Sequence, residues 1–276
     1  MSALENTCIS FIGSGVMGEA MISGLLKQQL VAPENITASD PRIERGKELA
    51  QRYQICTTSD NVAAVRQAQV VVLSVKPQTL PQVLPPLRGR IRPEALVLSI
   101  VAGASTSTIA KGLEHRTIVR VMPNTPAQIG QGMSVWFCTS EVDERQKEQA
   151  QTILRALGQE LSVDNEDYLD MATALSGTGP AYVFLFMEAL IDAGVHLGFS
   201  RHVAEELVLQ TLQGSVAFAR QSGLHPAELR NMVTSPGGTS AEALYQLEKG
   251  GLRTVLSRAI WAAYQKSRYL GGLTGT

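Results

Sequence analysis

Three loops carry the residue types on which chemistry could depend. The first is the glycine turn GSGVMG at 13–18, and the others are SGTGP at 176–180 and TSPGGTS at 234–240. They offer backbone amides and hydroxyls, but no histidine, cysteine or charged side chain. Such groups bind anions and hold a reactant in place, so the loops predict binding and alignment rather than nucleophilic attack.

The glycine turn has the sequence context of a dinucleotide site. The predicted strand Ile9–Ile12 leads into it, and helix-forming residues follow it. Gly13 suits the tight turn, Gly15 lets a pyrophosphate approach the backbone, and Gly18 lets the helix pack on the strand. The amides at the helix N-terminus would face the phosphates. A second strand ending at Asp40, roughly twenty residues beyond Gly18, completes the pattern of dinucleotide binding.

The end of the second strand leaves two hypotheses for the nucleotide. Asp40 could accept hydrogen bonds from the ribose hydroxyls of NAD(H). Ser39 and Arg42 could instead hold the 2′-phosphate of NADP(H) by charge-assisted hydrogen bonds. We favour NADP(H), and NAD(H) stays the alternative.

The TSPGGTS turn also permits two interpretations. Thr239 and Glu242 have the spacing of a capping box, which would begin a helix at Ser240. Alternatively, Gly237 and Gly238 leave amides open to a carboxylate, which the helix dipole and nearby hydroxyls would attract. The turn by itself favours the ordinary helix cap.

In the first half of the chain, alternating strands and helices must position the glycine turn. Apolar runs predict strands at Ile36–Ser39 and at residues 70–75, 96–100, 117–121, 134–138 and 160–163, with helices at 42–53, 105–113 and 143–157. From residue 167 onward only helices are predicted, at 181–197, 201–221, 226–233, 240–247 and 252–270, before a frayed tail at 271–276. This order predicts an α/β fold, in which an N-terminal Rossmann-type doubly wound sheet precedes an all-α C-terminal oligomerisation domain. We place the dinucleotide-binding domain at residues 1–165 and the helical substrate-binding and dimerisation domain at 166–276.

Ligands of such a sheet bind outside the carboxyl ends of its strands. The residues just past those ends are Ser39-Asp40-Pro41-Arg42, Val75-Lys76-Pro77, Val101-Ala102-Gly103 and Met122-Pro123-Asn124-Thr125-Pro126. Any one of these loops could simply end a strand. Four of them on one edge, beside the glycine turn, predict a cofactor crevice.

Composition excludes several other classes of function. The chain has 276 residues, and its net charge of −1 gives no footprint for nucleic acid or an anionic membrane. No uncharged apolar segment reaches the roughly 18 residues of a membrane span, and no secretory signal is evident. Three cysteines without a CxxC motif indicate a reducing, cytoplasmic location, and the histidines lack metal-ligand spacing, so no metal is expected.

The helix at 181–197 is apolar on most faces, which predicts packing between subunits.

Five segments resemble pyrroline-5-carboxylate reductases, the enzymes of the last step of proline biosynthesis. They are FIGSGVMGEAMISGL, VVVLSVKPQ, VRVMPNTPAQIGQG, ALSGTGPAYVF and TSPGGTS, and the resemblance extends from about residue 9 to residue 268. It implies hydride transfer from nicotinamide C4 to the imine carbon C5 of Δ1-pyrroline-5-carboxylate, giving L-proline. It also implies interlocked dimers, often five in a ring, in which helical loops of one subunit face the cofactor domain of another.

The resemblance assigns roles to individual residues. Ser14, Gly15, Val16 and Met17 would wrap the pyrophosphate, Ser39 and Asn61 would contact the adenosine side, and Val75, Lys76, Pro77 and Ala102 would line the nicotinamide side. With Gly13, Gly18, Arg42 and Asn124, these form the predicted cofactor set. The substrate would be held by Glu166, Ser176, Gly177, Gly179, Gly237, Gly238 and Thr239. We expect the catalytic hydroxyls to be those of Ser240 and Thr178. Because a protonated imine is already electrophilic, alignment and charge stabilisation are the main tasks.

Three positions depart from the commoner family pattern. Thr178 stands where serine is usual, Ser240 where threonine is usual, and Met232 where some relatives carry a polar substrate contact. Both hydroxyls are kept, so we expect function to be retained and substrate affinity to be the property that differs.

Two other functions compete with this interpretation. A β-hydroxyacid dehydrogenase also combines a glycine turn with a helical domain, but that family relies on a lysine from an interdomain helix. There is no lysine between Lys147 and Lys249 here, which argues against alcohol oxidation. A dinucleotide sensor would bind the cofactor without turnover.

Overall fold

The computed structural model describes residues 3–274, in which eight strands form one sheet. The strands are β1 (Ile9–Ile12), β2 (Ile36–Ser39), β3 (Cys56–Thr58), β4 (Val70–Leu73), β5 (Leu96–Ser99), β6 (Ile118–Met122), β7 (Gly132–Cys138) and β8 (Gly158–Ser162). Their order across the sheet is β3-β2-β1-β4-β5-β6-β7-β8. The first six run parallel, and β7 pairs antiparallel with β6 and parallel with β8. The predicted α/β fold is confirmed.

Helices connect these strands and then continue alone. Those of the first half are α1 (Val16–Lys27), α2 (Ile43–Tyr53), α3 (Asn61–Val65), α4 (Leu80–Leu87), α5 (Thr106–Leu113) and α6 (Glu144–Arg155). After β8 come α7 (Tyr168–Ala172), a π-helical turn (Thr173–Gly177), α8 (Gly179–His196), α9 (Arg201–Ser222), α10 (Pro226–Met232), α11 (Thr239–Lys249) and α12 (Leu252–Thr274).

Both faces of the sheet are covered, which explains its continuous apolar strands. Along β4, Val70 and Val72 belong to one buried cluster, and Val71 and Leu73 belong to another. Since successive side chains of a strand point to opposite faces, a strand buried on both sides needs an apolar residue at every position.

The structure differs from the sequence-based assignment at several elements. The patterns did not predict β3, α3 or α4: β3 has only three residues, and α4 contains Pro85 and Pro86, which ordinarily interrupt a helix. The antiparallel turn into β7 arises because only a short 3₁₀ helix, Thr125–Ile129, separates it from β6, whereas a parallel crossover needs a dozen or more residues. The prediction of a frayed tail at 271–276 is wrong for residues 271–274, because α12 continues to residue 274. Residues 275 and 276 lie outside the described part of the chain.

By internal contacts the chain divides into two compact units. One comprises Met1–Gly179 with Ala263–Thr276, and the other comprises Pro180–Ala262. Within the described residues no side chain of α8 is buried, and large apolar residues such as Phe184 and Leu185 are 60% and 67% exposed. The stretch Tyr168–His196 is long and apolar enough to cross a membrane, judged by length and composition. One such helix is weak evidence of a membrane span.

Candidate functional site

The predicted cofactor residues follow the carboxyl ends of six parallel strands. They lie at or just after the ends of β1 (the glycine turn), β2 (Ser39, its last residue, and Arg42), β3 (Asn61), β4 (Val75, Lys76, Pro77), β5 (Ala102) and β6 (Asn124). Because these strands are parallel, all six loops lie at the same edge of the sheet. The first unit thus brings the predicted cofactor set together.

The three glycines of the turn differ in what surrounds them. Gly13 has a φ of +91°, and a β-carbon there would lie 2.8 Å from Val75 Cγ1, so protein packing requires glycine. A β-carbon at Gly18 would lie 2.8 Å from the Gly13 carbonyl oxygen. Among the residues that the structure describes, none would come within 4 Å of a β-carbon at Gly15, and none caps the N-terminus of α1 with its side chain. The backbone at Gly15 therefore faces open space beside uncapped helix amides, which fits a phosphate group.

Asp40 is bound within the protein. Its Oδ2 accepts hydrogen bonds from the Ser14 amide at 3.3 Å and the Ser14 hydroxyl at 3.0 Å, and its Oδ1 accepts from Arg42 Nε at 2.9 Å. Burial alone would raise the pKa of this carboxyl, but the hydrogen bonds from Arg42 and Ser14 outweigh it and lower the pKa to about 2. Asp40 thus braces the glycine turn and orients Arg42, whose side chain is 66% exposed.

Two other predicted cofactor residues, Ser39 and Asn61, are bound to each other. The Ser39 hydroxyl is buried and donates to Asn61 Oδ1 at 2.6 Å. Lys76 is exposed at the start of a 3₁₀ helix, Pro77–Thr79. Sequence reasoning missed Arg45, which donates from Nε to the Ser14 carbonyl at 3.0 Å and pairs with Glu19. No local pattern distinguishes Arg45 from the other charges of α2.

Glu166 joins the segment after β8 to the sheet. Its Oε1 accepts from the Thr106 amide at 2.8 Å and from Arg120 Nη1 at 2.8 Å, and its Oε2 accepts from the Thr106 hydroxyl at 2.7 Å. This carboxylate lies at the N-terminus of α5, where the helix dipole favours a negative charge. Arg120 was missed, although one charged residue inside the apolar strand sequence IVRVM was a signal. The predicted substrate contact of Glu166 stays a prediction.

The loop at 176–179 follows a π-helical turn that determines its hydrogen bonding. The amide and hydroxyl of Thr178 both donate to the Thr173 carbonyl, at 2.8 and 2.9 Å. The Ser176 hydroxyl is buried and has no hydrogen-bond partner among the described residues. The Ser176 carbonyl accepts from Asn124 Nδ2 at 3.2 Å. The predicted loop therefore lies against the end of β6.

The TSPGGTS turn belongs to the second unit, and its predicted capping box is wrong. Gly238 is the N-cap of α11 without a side-chain hydrogen bond, and the helix begins at Thr239. The Glu242 carboxylate instead accepts from Gln246 Nε2 at 3.0 Å. The amide of Gly238 donates to the Ser235 carbonyl at 3.1 Å, so it is already engaged. The first amides of α11 are left without a side-chain cap.

Comparisons with known proteins extend over both units. Residues 166–270 match the family described as pyrroline-5-carboxylate reductase dimerisation, and residues 8–103 match the family described as NADP oxidoreductase, coenzyme F420-dependent. The pyrroline-5-carboxylate reductase of Pseudomonas aeruginosa is 42% identical over 268 residues, which is 97% of this chain and 98% of that protein. The one from Synechocystis sp. is 41% identical over 263 residues, 95% of this chain and 98% of that protein.

A solved structure gives the same result. The crystal structure of Plasmodium falciparum pyrroline carboxylate reductase with NADP bound has a TM-score of 0.88 and 33% identity, over 96% of this chain and 98% of that chain. The largely parallel sheet and the glycine turn, together with the match to an NADP oxidoreductase family, define a dinucleotide-dependent oxidoreductase. More particularly, the chain belongs to the pyrroline-5-carboxylate reductase family. The resemblance of its five motifs is thereby confirmed.

Proposed function

We propose that this chain catalyses the reaction for which its family is named, reduction of Δ1-pyrroline-5-carboxylate to L-proline, with NADP(H) as the cofactor. One observation carries the proposal. A single edge of the sheet holds both the open glycine turn at Gly15 and, through Asn124, the loop at 176–179. That arrangement suits an enzyme that must align a dinucleotide with a small substrate.

The first unit contains the groups needed to hold the dinucleotide. The glycine turn and the uncapped amides of α1 would bind the pyrophosphate, with Ser14 held in place by Asp40. Ser39 and Asn61 would contact the adenosine side, and Val75, Lys76, Pro77 and Ala102 would line the nicotinamide side. When bound, NADPH supplies a hydride from its nicotinamide ring.

The engagement of Asp40 supports NADP(H) over NAD(H). Both of its oxygens accept hydrogen bonds from Ser14 and Arg42, so ribose hydroxyls would have to compete for them. Arg42 uses Nε and Nη2 on Asp40, which leaves Nη1 of an exposed guanidinium for a 2′-phosphate.

The hydroxyl groups would orient the imine and contribute little general acid–base catalysis. Because Thr178 donates its hydroxyl proton to Thr173, it can only accept a hydrogen bond, which suits a protonated imine or a water molecule bound to it. Ser240 would bind the ring nitrogen directly or through water. The uncapped start of α11, at Thr239, would bind the substrate carboxylate, with Gly237 and Gly238 shaping the turn. The buried Ser176 hydroxyl would gain a partner in the substrate.

Assembly and location complete the proposal. The exposed apolar side chains of α8 support association of subunits, as does the match to a family described by dimerisation. We infer dimers that can assemble further, to a decamer, and light scattering that finds only monomers at micromolar concentration would contradict this. The three cysteines are free, which supports a reducing, cytoplasmic location.

The direct test follows the oxidation of NADPH, and separately of NADH, by its absorbance, with and without Δ1-pyrroline-5-carboxylate. Oxidation that depends on the substrate and yields proline is the expected result. A higher rate with NADPH than with NADH would support the cofactor assignment. Tight nucleotide binding without oxidation would contradict the proposal and favour the dinucleotide sensor.

A further inference from the structure

One face of β6 supports the segment that leads to the 176–179 loop. Arg120, Met122 and Asn124 are alternate residues, and the extended backbone at Asn124 continues the alternation of the strand. Arg120 pairs with Glu166, and a β-carbon built at Gly177 would lie 2.7 Å from Met122 Cε. Asn124 binds the Ser176 carbonyl. The three residues therefore contact the segment at its beginning and at its end.

Asn124 has both halves of its amide engaged. Its Oδ1 accepts from the Met133 amide at 2.8 Å, while its Nδ2 donates to the Ser176 carbonyl at 3.2 Å. Because the Met133 amide can only donate, the network fixes which end of the Asn124 amide faces the loop. The side chain thus joins the end of β6 to the start of β7 and to Ser176.

The hydrogen bond to Ser176 also bears on its neighbours. Ser176 lies in the π-helical turn that begins at Thr173. The Thr173 carbonyl accepts hydrogen bonds from both the amide and the hydroxyl of Thr178. A displacement of the Ser176 carbonyl would therefore move the two hydroxyl-bearing residues of the loop together. Errors of about 1 Å in the placement of catalytic groups can cost on the order of 100-fold in rate.

We propose that Asn124 is a positioning residue for the substrate, which acts by fixing the Ser176 carbonyl and hence the 176–179 loop against the sheet edge. This replaces the direct cofactor contact that the sequence predicted for it. The inference rests on the proposed function of the loop as a substrate site.

Two variants separate the two halves of the Asn124 amide. Asn124→Asp keeps an acceptor for Met133 but removes the donor to Ser176, and Asn124→Ala removes both. Gln128→Ala is the matched control, because Gln128 lies in the same connection and its amide donates to the nearby Thr125 carbonyl, at 3.3 Å, and not to the 176–179 loop. For each protein we would measure kcat and KM for Δ1-pyrroline-5-carboxylate, the Kd for NADPH without substrate, and the melting temperature.

We expect both Asn124 variants to lose roughly 10- to 100-fold in kcat/KM for the imine. Their Kd for NADPH should match that of Gln128→Ala, and each variant should still melt in a single cooperative transition. An equal loss of NADPH affinity would favour a direct contact between Asn124 and the cofactor and would overturn the inference. Unchanged kcat/KM, or failure of both variants to fold, would overturn it as well. If the wild-type protein binds NADPH but does not turn over, the proposed function itself fails, and the substrate role of the loop fails with it.

Discussion

Arg120 Nη1 lies 2.8 Å from Glu166 Oε1, although the two residues come from strand β6 and from the segment after the last strand. Their side chains are only 9% and 21% exposed. A second acid, Asp170, lies 3.8 Å from Arg120 Nη2 and accepts a hydrogen bond from Ser267 of α12 at 2.7 Å. One buried guanidinium thus ties together three parts of the first unit.

Replacing Arg120 by alanine should lower the free energy of unfolding by about 3 kcal/mol, since it leaves a mostly buried carboxylate without its cation. Urea denaturation measures the change. Arg253→Ala is the control, because its pair with Glu248 is exposed, at 70% and 51%, and exposed pairs contribute about 0–1 kcal/mol. If the two variants lose equal stability, the Arg120 pair does not tie the unit together.

Gly15→Val should fold normally yet fail to bind NADPH. A β-carbon at this position would meet no atom of the described residues within 4 Å, so the fold leaves space there and a side chain would project toward a ligand at the turn. Fluorescence titration with NADPH and a thermal melt together make the test. Gly18→Ala provides the contrast, because its β-carbon would lie 2.8 Å from the Gly13 carbonyl oxygen and should lower stability. Unchanged NADPH binding by Gly15→Val would remove the pyrophosphate from this turn.

Arg42→Ala should lower the preference for NADPH over NADH. Loss of a charge-assisted hydrogen bond to the 2′-phosphate predicts a fall of roughly 10- to 100-fold in kcat/KM for NADPH, with NADH little affected. Steady-state kinetics with both nucleotides give the ratio. Lys47→Ala, which removes an exposed cation from the same helical region, should leave the ratio as it is. Parallel losses for the two nucleotides would contradict a contact between Arg42 and the 2′-phosphate.

Asp40→Asn should destabilise the protein in a pH-dependent way. The pKa of Asp40 is lowered to about 2 in the folded protein, so its ionised form contributes stability above the ordinary value near 4, and this contribution is lost as the pH falls toward 2. At pH 7 the variant should lose about 1–2 kcal/mol, a range reduced for the solvent exposure of Arg42.

Urea denaturation of the Asp40→Asn variant and the wild type at pH 7, 5 and 3 follows the difference between them. It should shrink between pH 5 and pH 3. Asp192→Asn, in an exposed pair with Arg201, is the control and should show little difference at any of these pH values. A difference of the same size at pH 3 and pH 7 would show that the Asp40 charge is not its source.

Ser240→Ala should lower kcat for Δ1-pyrroline-5-carboxylate by roughly 10-fold or more, because it removes the hydroxyl proposed to orient the ring nitrogen. The Kd for NADPH should not change. Ser240→Thr keeps a hydroxyl at this position and should keep most of the activity. Full activity of the alanine variant would exclude Ser240 from the site.

Much of the fold could be predicted because its signals are local. A few consecutive residues are enough to recognise the glycine turn, the apolar strands and the Gly- and Pro-rich loops. Their order implies a doubly wound sheet with one functional edge. The motifs in their order also identified the family. Elements without a local signal were missed, as the three-residue strand β3 and the proline-containing helix α4 illustrate.

Only the tertiary structure decided the partners of the polar residues. The hydrogen bonds of Asp40 to Ser14, Arg120 to Glu166 and Asn124 to Ser176 connect positions 26, 46 and 52 residues apart. The sequence determined which of these groups could bind a ligand, since that depends on residue type. Which of them already bind one another depends on how the strands and helices pack, and no local pattern contains that information.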